Sequence, residues 1–428
     1  MAPNKSITFL SLFTITVLLL TGCQLGRTAA PTADLAKTAA VETITAMPTN
    51  TTQPTATETL VPTATSTVTP TATATITPTT GPITYGPTDF PDNIDPLTGL
   101  QVSDPSILNR RPVMVKVSNF PASGRPHAGL SYADIVFDYG IDGGTNRFLA
   151  LYYGQDAPKV GPIRSGRYVD ADLVPMYQGI LAYGSAWAPE LQKILDVLGK
   201  RAFMEGVNTC PAICRDTKLS ATPIVTNLFA DTAALTTYAA TKGVVQKRYN
   251  LDGMAFSSLP PSGGNPGTFL SVNFGPTNQA DWRYDEATGK YLRWIEERGP
   301  DGLAVTDANG NLKMIPLVDR DTNQQLAFSN VIMIYATYIK DYEAVYEIPI
   351  ASQYSYQKAI IFRNGQEYDA YWKSAGPDKP IQFFNTDKQP FELQPGNSYI
   401  VIGGMNSQLS QPDPQTDPAR WLFYFNPP

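Results

Sequence analysis

Residues 133–153, ADIVFDYGIDGGTNRFLALYY, combine an alternating apolar pattern with a two-glycine turn. Residues 133–141 alternate, with Ile135, Phe137, Tyr139 and Ile141 on one face. Gly143 and its glycine neighbour form a turn, and residues 147–153 return as a second strand. The segment therefore predicts a β-hairpin with one strongly apolar face.

Further strands and helices are predicted on both sides of this hairpin. Short aliphatic runs predict strands at 113–117 and 180–183. A helix is predicted over 189–198, with proline in its first turn and Gly199 as its stop. A second helix begins after Asp231 as its N-cap and ends at Gly243. Residues 86–260 are therefore interpreted as a mixed α/β domain.

The composition changes at LPPSGGNPG, residues 259–267, which we interpret as a domain boundary. Beyond it, β-branched and aromatic residues predict strands at 269–274, 291–296, 331–338, 359–363 and 399–402. Asn364-Gly365 and Asn309-Gly310 are typical hairpin turns. The expected fold class is α+β: the mixed N-terminal domain is followed by a smaller, mostly antiparallel β domain at 265–428.

The N-terminus has the pattern of a lipoprotein signal peptide, residues 1–23. Lys5 precedes an apolar run at 7–20, which is too short to span a bilayer comfortably, and LTGC at 20–23 resembles a lipobox. Acyl chains on Cys23 would then hold the chain at the extracytoplasmic face of a cell membrane. The alternative is an ordinary secretory signal or an anchor helix with an incidental cysteine.

Residues 24–85 are rich in Thr, Pro and Ala, and the string Pro-Thr-Ala-Thr begins at Pro54, Pro62 and Pro70. Such a stretch has few large apolar side chains, so it cannot offset the entropy lost on ordering. We expect an extended, disordered tether, with an O-glycosylated stalk as the alternative.

Composition excludes several function classes. The net charge is −6 and no basic run exists, which argues against nucleic acid as a partner. A single histidine, His127, cannot build a histidine zinc site, and it is expected in a surface loop. No metal and no cofactor are predicted. Cys210 and Cys214 are expected to form a disulfide that closes a short loop, with a redox role as the alternative.

The densest polar sequence is VGPIRSGR, residues 160–167. Arg164 and Arg167 offer two guanidinium groups, Ser165 adds a hydroxyl, and Gly166 permits close backbone approach. This set suits a phosphate, a carboxylate or a sugar acid. The alternative is that the arginines form internal salt bridges with Asp170, Asp172 or the hairpin carboxylates.

The hairpin carboxylates Asp138 and Asp142 lie four residues apart, about 13 Å along a strand, which is too far for a retaining glycosidase pair. A solvated acidic face is favoured. The sequence has no serine-nucleophile elbow, zinc-protease motif or phosphate loop, so we lean against an enzyme.

Several motifs resemble the YerB family of bacterial lipoproteins, a family of unknown function. They are DPLTG at 95–99, RPVMVKVSN at 111–119, RP at 125–126, GLSYADIV at 129–136, GGTNRF at 143–148 and GPIRSGR at 161–167. Family members generally have glutamate where this chain has Asp138 and Asp142, and only Asn227 survives of a Pro-His-Asn signature aligned with residues 223–227. The resemblance implies a fold, lipoprotein status and a pocket position, but no reaction.

The leading hypothesis is a membrane-tethered protein that binds an anionic envelope component or nutrient. The predicted ligand-binding residues are Asn119, Arg125, Asp138, Arg147, Arg164, Ser165 and Arg167. One alternative is a polysaccharide or peptidoglycan hydrolase in which Asp138 and a second carboxylate lie about 5–10 Å apart in an open cleft; burial of Asp138 against arginine would contradict it. The other alternative is a scaffold that binds partner proteins through an exposed apolar patch.

Overall fold

The computed structural model describes residues 83–141, 143–219, 224–342 and 345–427. Strands dominate these residues and helices are few, which confirms the predicted α+β class. The signal peptide with Cys23, almost all of the tether, Asp142 and Pro223 lie outside the described residues. The last residues assigned to the tether belong to the fold, because Thr84–Tyr85 pairs with Ala255–Ser257.

The α-helices are α1 Asp170–Met176, α2 Ala188–Leu198 and α3 Thr232–Thr241. The strands of five or more residues are β1 Val113–Ser118, β2 Ile135–Gly140, β3 Asn146–Tyr152, β4 Phe269–Gly275, β5 Asn278–Asp285, β6 Lys290–Glu296, β7 Asn330–Ala336, β8 Gln357–Arg363, β9 Gln366–Lys373, β10 Ser398–Gly404 and β11 Arg420–Tyr424. The shorter strands are Thr84–Tyr85, Ile180–Ala182, Ala202–Phe203, Ile213–Arg215, Leu228–Ala230, Ala255–Ser257, Asn265–Pro266, Met314–Pro316, Ala327–Phe328, Ile339–Tyr342, Val345–Glu347, Gln382–Phe384, Glu392–Leu393 and Gln408–Ser410. Single 3-10 turns occur at Pro105–Leu108, Ala122–Gly124, Leu130–Tyr132, Gly199–Arg201, Thr217–Leu219, Ile224–Thr226 and Ile350–Ser352.

The predicted hairpin is β2 and β3, which pair antiparallel from Ile135↔Leu151 to Gly140↔Asn146. Its alternation is as expected, because Phe137 and Tyr139 enter one core cluster while Val136 enters the other. The predicted Asn-Gly hairpin is also confirmed. Asn364 and Gly365 both have positive φ, 51° and 71°, and they connect β8 to β9.

In the described part of the chain, the largest sheet has eleven strands. Its order is Asn265–Pro266, β9, β8, β7, β10, β2, β3, β1, Ile180–Ala182 and Ala202–Phe203, with Gln382–Phe384 paired to β9. The pairs β7–β10, β10–β2 and β1 with Ile180–Ala182 are parallel. Both predicted segments, 86–260 and 265–428, thus contribute strands to one sheet, and their division into domains stays a prediction.

A second sheet has the order Met314–Pro316, β6, β5, β4, β11 and Gln408–Ser410, with Ala327–Phe328 paired to β6. It is antiparallel except for β4 and β11, which run parallel.

The core has three layers. One face of the largest sheet packs on α1 and α2 through residues such as Leu173 and Ile194. The other face packs on the second sheet through Trp282 and Phe423 and on α3 through Leu235. The central strands are therefore buried on both sides, which explains their nearly continuous aliphatic runs.

Candidate functional site

The largest sheet separates the predicted ligand-binding residues into two groups. Asn146 and Arg147 are neighbours in β3, and successive side chains of a strand point to opposite faces. Asn146 hydrogen-bonds Asp138, whereas Arg147 reaches residue 165 across the other face. The seven residues therefore do not form one site.

Asp138 lies in a buried polar network. Its carboxylate accepts hydrogen bonds from Asn146 Nδ2 at 2.5 Å and from the hydroxyl of Tyr399 at 2.7 Å. The Asn146 amide oxygen in turn accepts from Asn119 at 2.6 Å and from Asn278 at 3.1 Å. These bonds satisfy polar groups that would be costly to bury alone.

The charge next to Asp138 is a buried arginine. Arg293 Nη2 lies 3.9 Å from Asp138 Oδ2, and each side chain is 1% exposed. Burial raises the pKa of Asp138 to about 6, although Arg293 and the hydrogen bond from Tyr399 act in the opposite direction. Asp138 is thus buried against arginine, the arrangement that contradicts the hydrolase hypothesis.

Arg125 belongs to this same side of the sheet. Its Nε donates to the Asn119 side chain at 3.0 Å, and its Nη1 pairs with Glu296 at 2.8 Å. Arg125 and Asn119 therefore connect β1 to the second sheet, which is a structural role in the described residues.

On the opposite face, Arg147, Arg164 and Arg167 form what we call the arginine cluster. The main chain holds Arg164 in place, since its N–H donates to the carbonyl of Lys116 at 3.0 Å and its carbonyl accepts from Gly184 at 2.9 Å. An added Cβ on Gly166 would lie 2.7 Å from Ile194 Cδ1, so a larger residue there would have to displace this buried side chain of α2.

The three guanidinium groups have few carboxylate partners. Arg147 Nη1 donates to the carbonyl of Ser165 at 3.0 Å, and Arg167 Nη1 donates to Gly166 at 2.8 Å and lies 3.4 Å from Glu190. In the described ranges, no ion pair involves Arg147 or Arg164, and the Nε atoms of both are buried without a hydrogen-bond partner. The alternative, in which these arginines pair with Asp170 or Asp172, is thus not found there, although Arg167 pairs with Glu190 and its main-chain N–H donates to Asp170.

The guanidinium groups of the arginine cluster repel one another. Burial, followed by the charges of Arg167 and Arg164, lowers the pKa of Arg147 to about 9. Burial and the charge of Arg167 also lower the pKa of Arg164. An anion placed among these groups would relieve the repulsion.

A buried ion pair lies beneath the cluster. Lys116 Nζ lies 3.0 Å from Asp170 Oδ1, both side chains are fully buried, and Tyr139 donates its hydroxyl proton to the same oxygen at 2.6 Å. Burial lowers the pKa of Lys116 to about 7, and the charges of Arg147 and Arg167 contribute to that shift. Four cationic side chains here face two carboxylates, Asp170 and Glu190, in the described part of the chain.

The cluster is accessible from one side. Ser165 Oγ lies 3.0 Å from the hydroxyl oxygen of the exposed Ser185. Arg167 also lines a cavity of about 100 Å³ whose other walls are mostly apolar, with Tyr139, Val169, Tyr346 and Ile348 among them. The surroundings thus combine hydroxyl groups, positive charge and a small apolar recess.

Sequence reasoning missed Lys116 and Glu190. Lys116 had a usable signal, because a lysine inside the aliphatic run of β1 must be buried and needs a partner. Glu190 had no such signal in the sequence, because its partner Arg167 lies outside α2 and the pairing depends on the fold.

The prediction for His127 is wrong. The side chain is buried, its Nε2 donates to the carbonyl of Ser118 at 2.8 Å, and its ring packs against Phe148. Burial, with the nearby charges of Arg125 and Arg293, holds the pKa of His127 well below its usual range. The flanking Pro126 and Gly129 suggested a surface loop, but the loop folds back onto β1.

The predicted Cys210–Cys214 disulfide is present, with Cα atoms 5.1 Å apart. Among the described residues no group of three or more His, Cys, Asp or Glu side chains is arranged to hold a metal ion. None of the helices described is both long and apolar enough to cross a bilayer.

Comparisons with known proteins agree on one family. A protein of Bacillus subtilis (strain 168) named "Putative lipoprotein YerB" is 27% identical over 312 residues, which cover 72% of this chain and 85% of that protein. The crystal structure of the YerB protein from Bacillus subtilis superposes with a TM-score of 0.57 at 25% identity, covering 72% of this chain and 96% of the other. The N-terminal and C-terminal domains of a "Protein of unknown function (DUF3048)" match residues 97–245 and 270–400. The chain therefore belongs to the YerB-like DUF3048 family.

Proposed function

We propose that this protein is an extracytoplasmic lipoprotein, anchored through Cys23, that binds an anionic ligand at the arginine cluster. The similarity to a protein named as a lipoprotein supports the anchor, together with the lipobox at 20–23. The tether would then carry the folded part away from the membrane surface.

The observation that carries the ligand proposal is the excess of positive charge. Arg147 and Arg164 have no carboxylate partner in the ranges described, and their guanidinium groups lie close enough to lower the pKa of Arg147. Proteins seldom bury unpaired charges unless a ligand or a solvent channel compensates them. Guanidinium groups bind carboxylates and phosphates through two parallel hydrogen bonds.

The cavity beside Arg167 refines the ligand class. The cavity has a volume of about 100 Å³ and is lined in part by Tyr139, Tyr346 and Ile348, so it can hold a small apolar substituent of the ligand. The ligand we infer has an anionic head at the arginines and a short aryl or alkyl part in the cavity.

The test is calorimetric titration of the full chain, in a zwitterionic detergent, with inorganic phosphate and with phenyl phosphate. Arg164→Gln removes a charge that has no carboxylate partner in the described residues and that repels its neighbours, so the melting temperature should not fall. We expect this variant to weaken binding by about tenfold or more, since charge-assisted hydrogen bonds contribute about 1.5–3 kcal/mol. Arg248→Gln, far along the sequence and half-buried, is the matched control.

Phenyl phosphate should bind more tightly than inorganic phosphate if the cavity accepts the ring. Equal affinity for both probes would show that the cavity does not take part in ligand binding. Unchanged binding in Arg164→Gln would show that the arginine cluster is not the binding site. A lower melting temperature with unchanged binding in Arg164→Ala with Arg167→Ala would show that these arginines are structural.

A further inference from the structure

A second recess, here called the sheet groove, lies on the second sheet and shares no lining residue with the arginine cluster. Its volume is about 880 Å³, which is within the range of small-molecule binding sites. Strands β4, β5 and β11 supply most of its lining, and Thr268, Pro276, Asp417 and the segment 311–314 supply the rest.

Strand alternation makes this surface polar. On β4, Ser271 and Asn273 line the groove, while Leu270 and Val272 are buried in the core on the other side. On β5, Asp281 lines the groove and its core-facing neighbours are apolar.

The register brings the polar side chains into rows. Asn273 is paired with Gln279 of β5 and with Tyr424 of β11, and Ser271 is paired with Asp281. Adjacent strands are about 4.8 Å apart, so the groups of each row lie at regular intervals across the sheet. Ser271 and Asp281 are only 2% and 3% exposed, so the row of Asn273, Gln279 and Tyr424 presents the accessible groups.

Hydrogen bonds already orient these groups. Gln279 Nε2 donates to Asp281 Oδ1 at 2.8 Å, and Asn273 Nδ2 donates to Ser271 Oγ at 3.3 Å. Arg283 stacks on the Trp294 ring at 4.0 Å, and its buried Nε has no hydrogen-bond partner in the described residues. A ligand in the groove would therefore meet prearranged donors and acceptors, which reduces the entropy cost of binding.

The charges of the groove cancel. Asp281 and Asp417 are balanced by Arg283 and Arg420, in contrast to the positive excess of the arginine cluster. Hydroxyl and amide side chains both donate and accept hydrogen bonds, as the hydroxyl groups of sugars do. The Tyr424 side chain, 48% exposed, offers an aromatic face at one end of a row.

We propose that the sheet groove binds a neutral oligosaccharide. An extended peptide would instead add to a strand edge through main-chain hydrogen bonds, whereas the groove presents side chains on a sheet face. This proposal does not depend on the anion site.

The test is calorimetric titration of the full chain in a zwitterionic, sugar-free detergent. The probes are the neutral tetrasaccharides of β-1,4-linked glucose, N-acetylglucosamine and mannose. Asn273→Ala with Gln279→Ala removes one polar row, and Tyr424→Ala removes an exposed ring whose loss should leave the fold intact. Gln192→Ala, exposed on α2 and on the far side of the largest sheet from the groove, is the control.

At least one tetrasaccharide should bind saturably, and either groove variant should weaken it about tenfold, as expected for the loss of one or two hydrogen bonds or a stacked ring. Gln192→Ala and Arg164→Gln should bind it as the unaltered protein does. Absence of binding by all three probes at millimolar concentration would overturn the proposal. So would unchanged binding in Tyr424→Ala and the double variant, or a loss of oligosaccharide binding in Arg164→Gln.

Discussion

Replacing Asp138 with asparagine tests whether this carboxyl is a buried structural group. Burial raises its pKa from 3.8 to about 6, so the folded state holds a proton that the unfolded state has lost between these pH values. For such a group, the free energy of unfolding is highest below the unfolded pKa and falls as the pH rises through the folded pKa. A shift of about two units corresponds to about 3 kcal/mol in total.

Asp138→Asn has no carboxyl at this position, so its stability should not fall with rising pH for this reason. Relative to the unaltered protein, its free energy of unfolding should rise by about 2–3 kcal/mol between about pH 4 and pH 7.5. The hydrogen bond from Asn146 can remain, whereas the Tyr399 hydroxyl must turn to accept from the new amide. Any cost of that change is present at both pH values, so it cancels in the comparison.

The assay is urea unfolding of both proteins, followed by tryptophan fluorescence at the two pH values. Asp413→Asn, at an exposed position, is the control and should show no such difference. A relative stability that stays constant with pH, or that falls, would refute the assignment of Asp138 as a carboxyl with a raised pKa.

Three further predictions follow from the cluster and the disulfide. Burial lowers the pKa of Lys116 to about 7, so above this pH the unfolded state binds a proton that the folded state has lost. The free energy of unfolding, measured in urea, should therefore gain at most about 3 kcal/mol from this group between about pH 7 and 9.5. Lys116→Met should lack this gain. Gly166→Ala should lower the free energy of unfolding by about 1–2 kcal/mol, because the added Cβ would lie 2.7 Å from Ile194. An unchanged melting temperature would contradict this prediction. Cys210→Ser should cost about 2 kcal/mol, since the bridge closes a loop of only a few residues, and a larger loss in non-reducing urea unfolding would contradict a purely local bridge.

The sequence predicted the local elements well. The alternation in residues 133–141 and the Asn364-Gly365 turn are local signals, and both hairpins form as expected. Asp231 is the N-cap of α3, with its side chain accepting from the Ala234 N–H. In each case the deciding interactions lie within a few residues.

The pairing of distant strands was not predictable in the same way. The C-terminal segment was expected to be mostly antiparallel, yet β10 lies parallel between β7 and β2. Nothing in a single aliphatic strand specifies its neighbour, because a strand buried on both faces gives no orientation signal.

The candidate site was only partly predictable for a related reason. Residues 164, 165 and 167 were identified because their polar types occur together in the sequence. Asp138 was placed with them, although its partners Tyr399 and Arg293 come from segments far along the chain, the first 261 residues away. The register of the hairpin decides which face of the sheet carries Arg147. The length of the Gly-Gly turn did not determine that register from the sequence.

The most direct test of the central claim is to locate an anion in the folded protein. Crystals of the full chain soaked in sodium selenate should give an anomalous selenium peak next to the Arg147, Arg164 and Arg167 side chains, with the selenate oxygens accepting their hydrogen bonds. The Arg164→Gln variant should lose or weaken that peak while its fold is unchanged. Selenium peaks elsewhere on the surface, with none at the arginine cluster in the unaltered protein, would contradict the account.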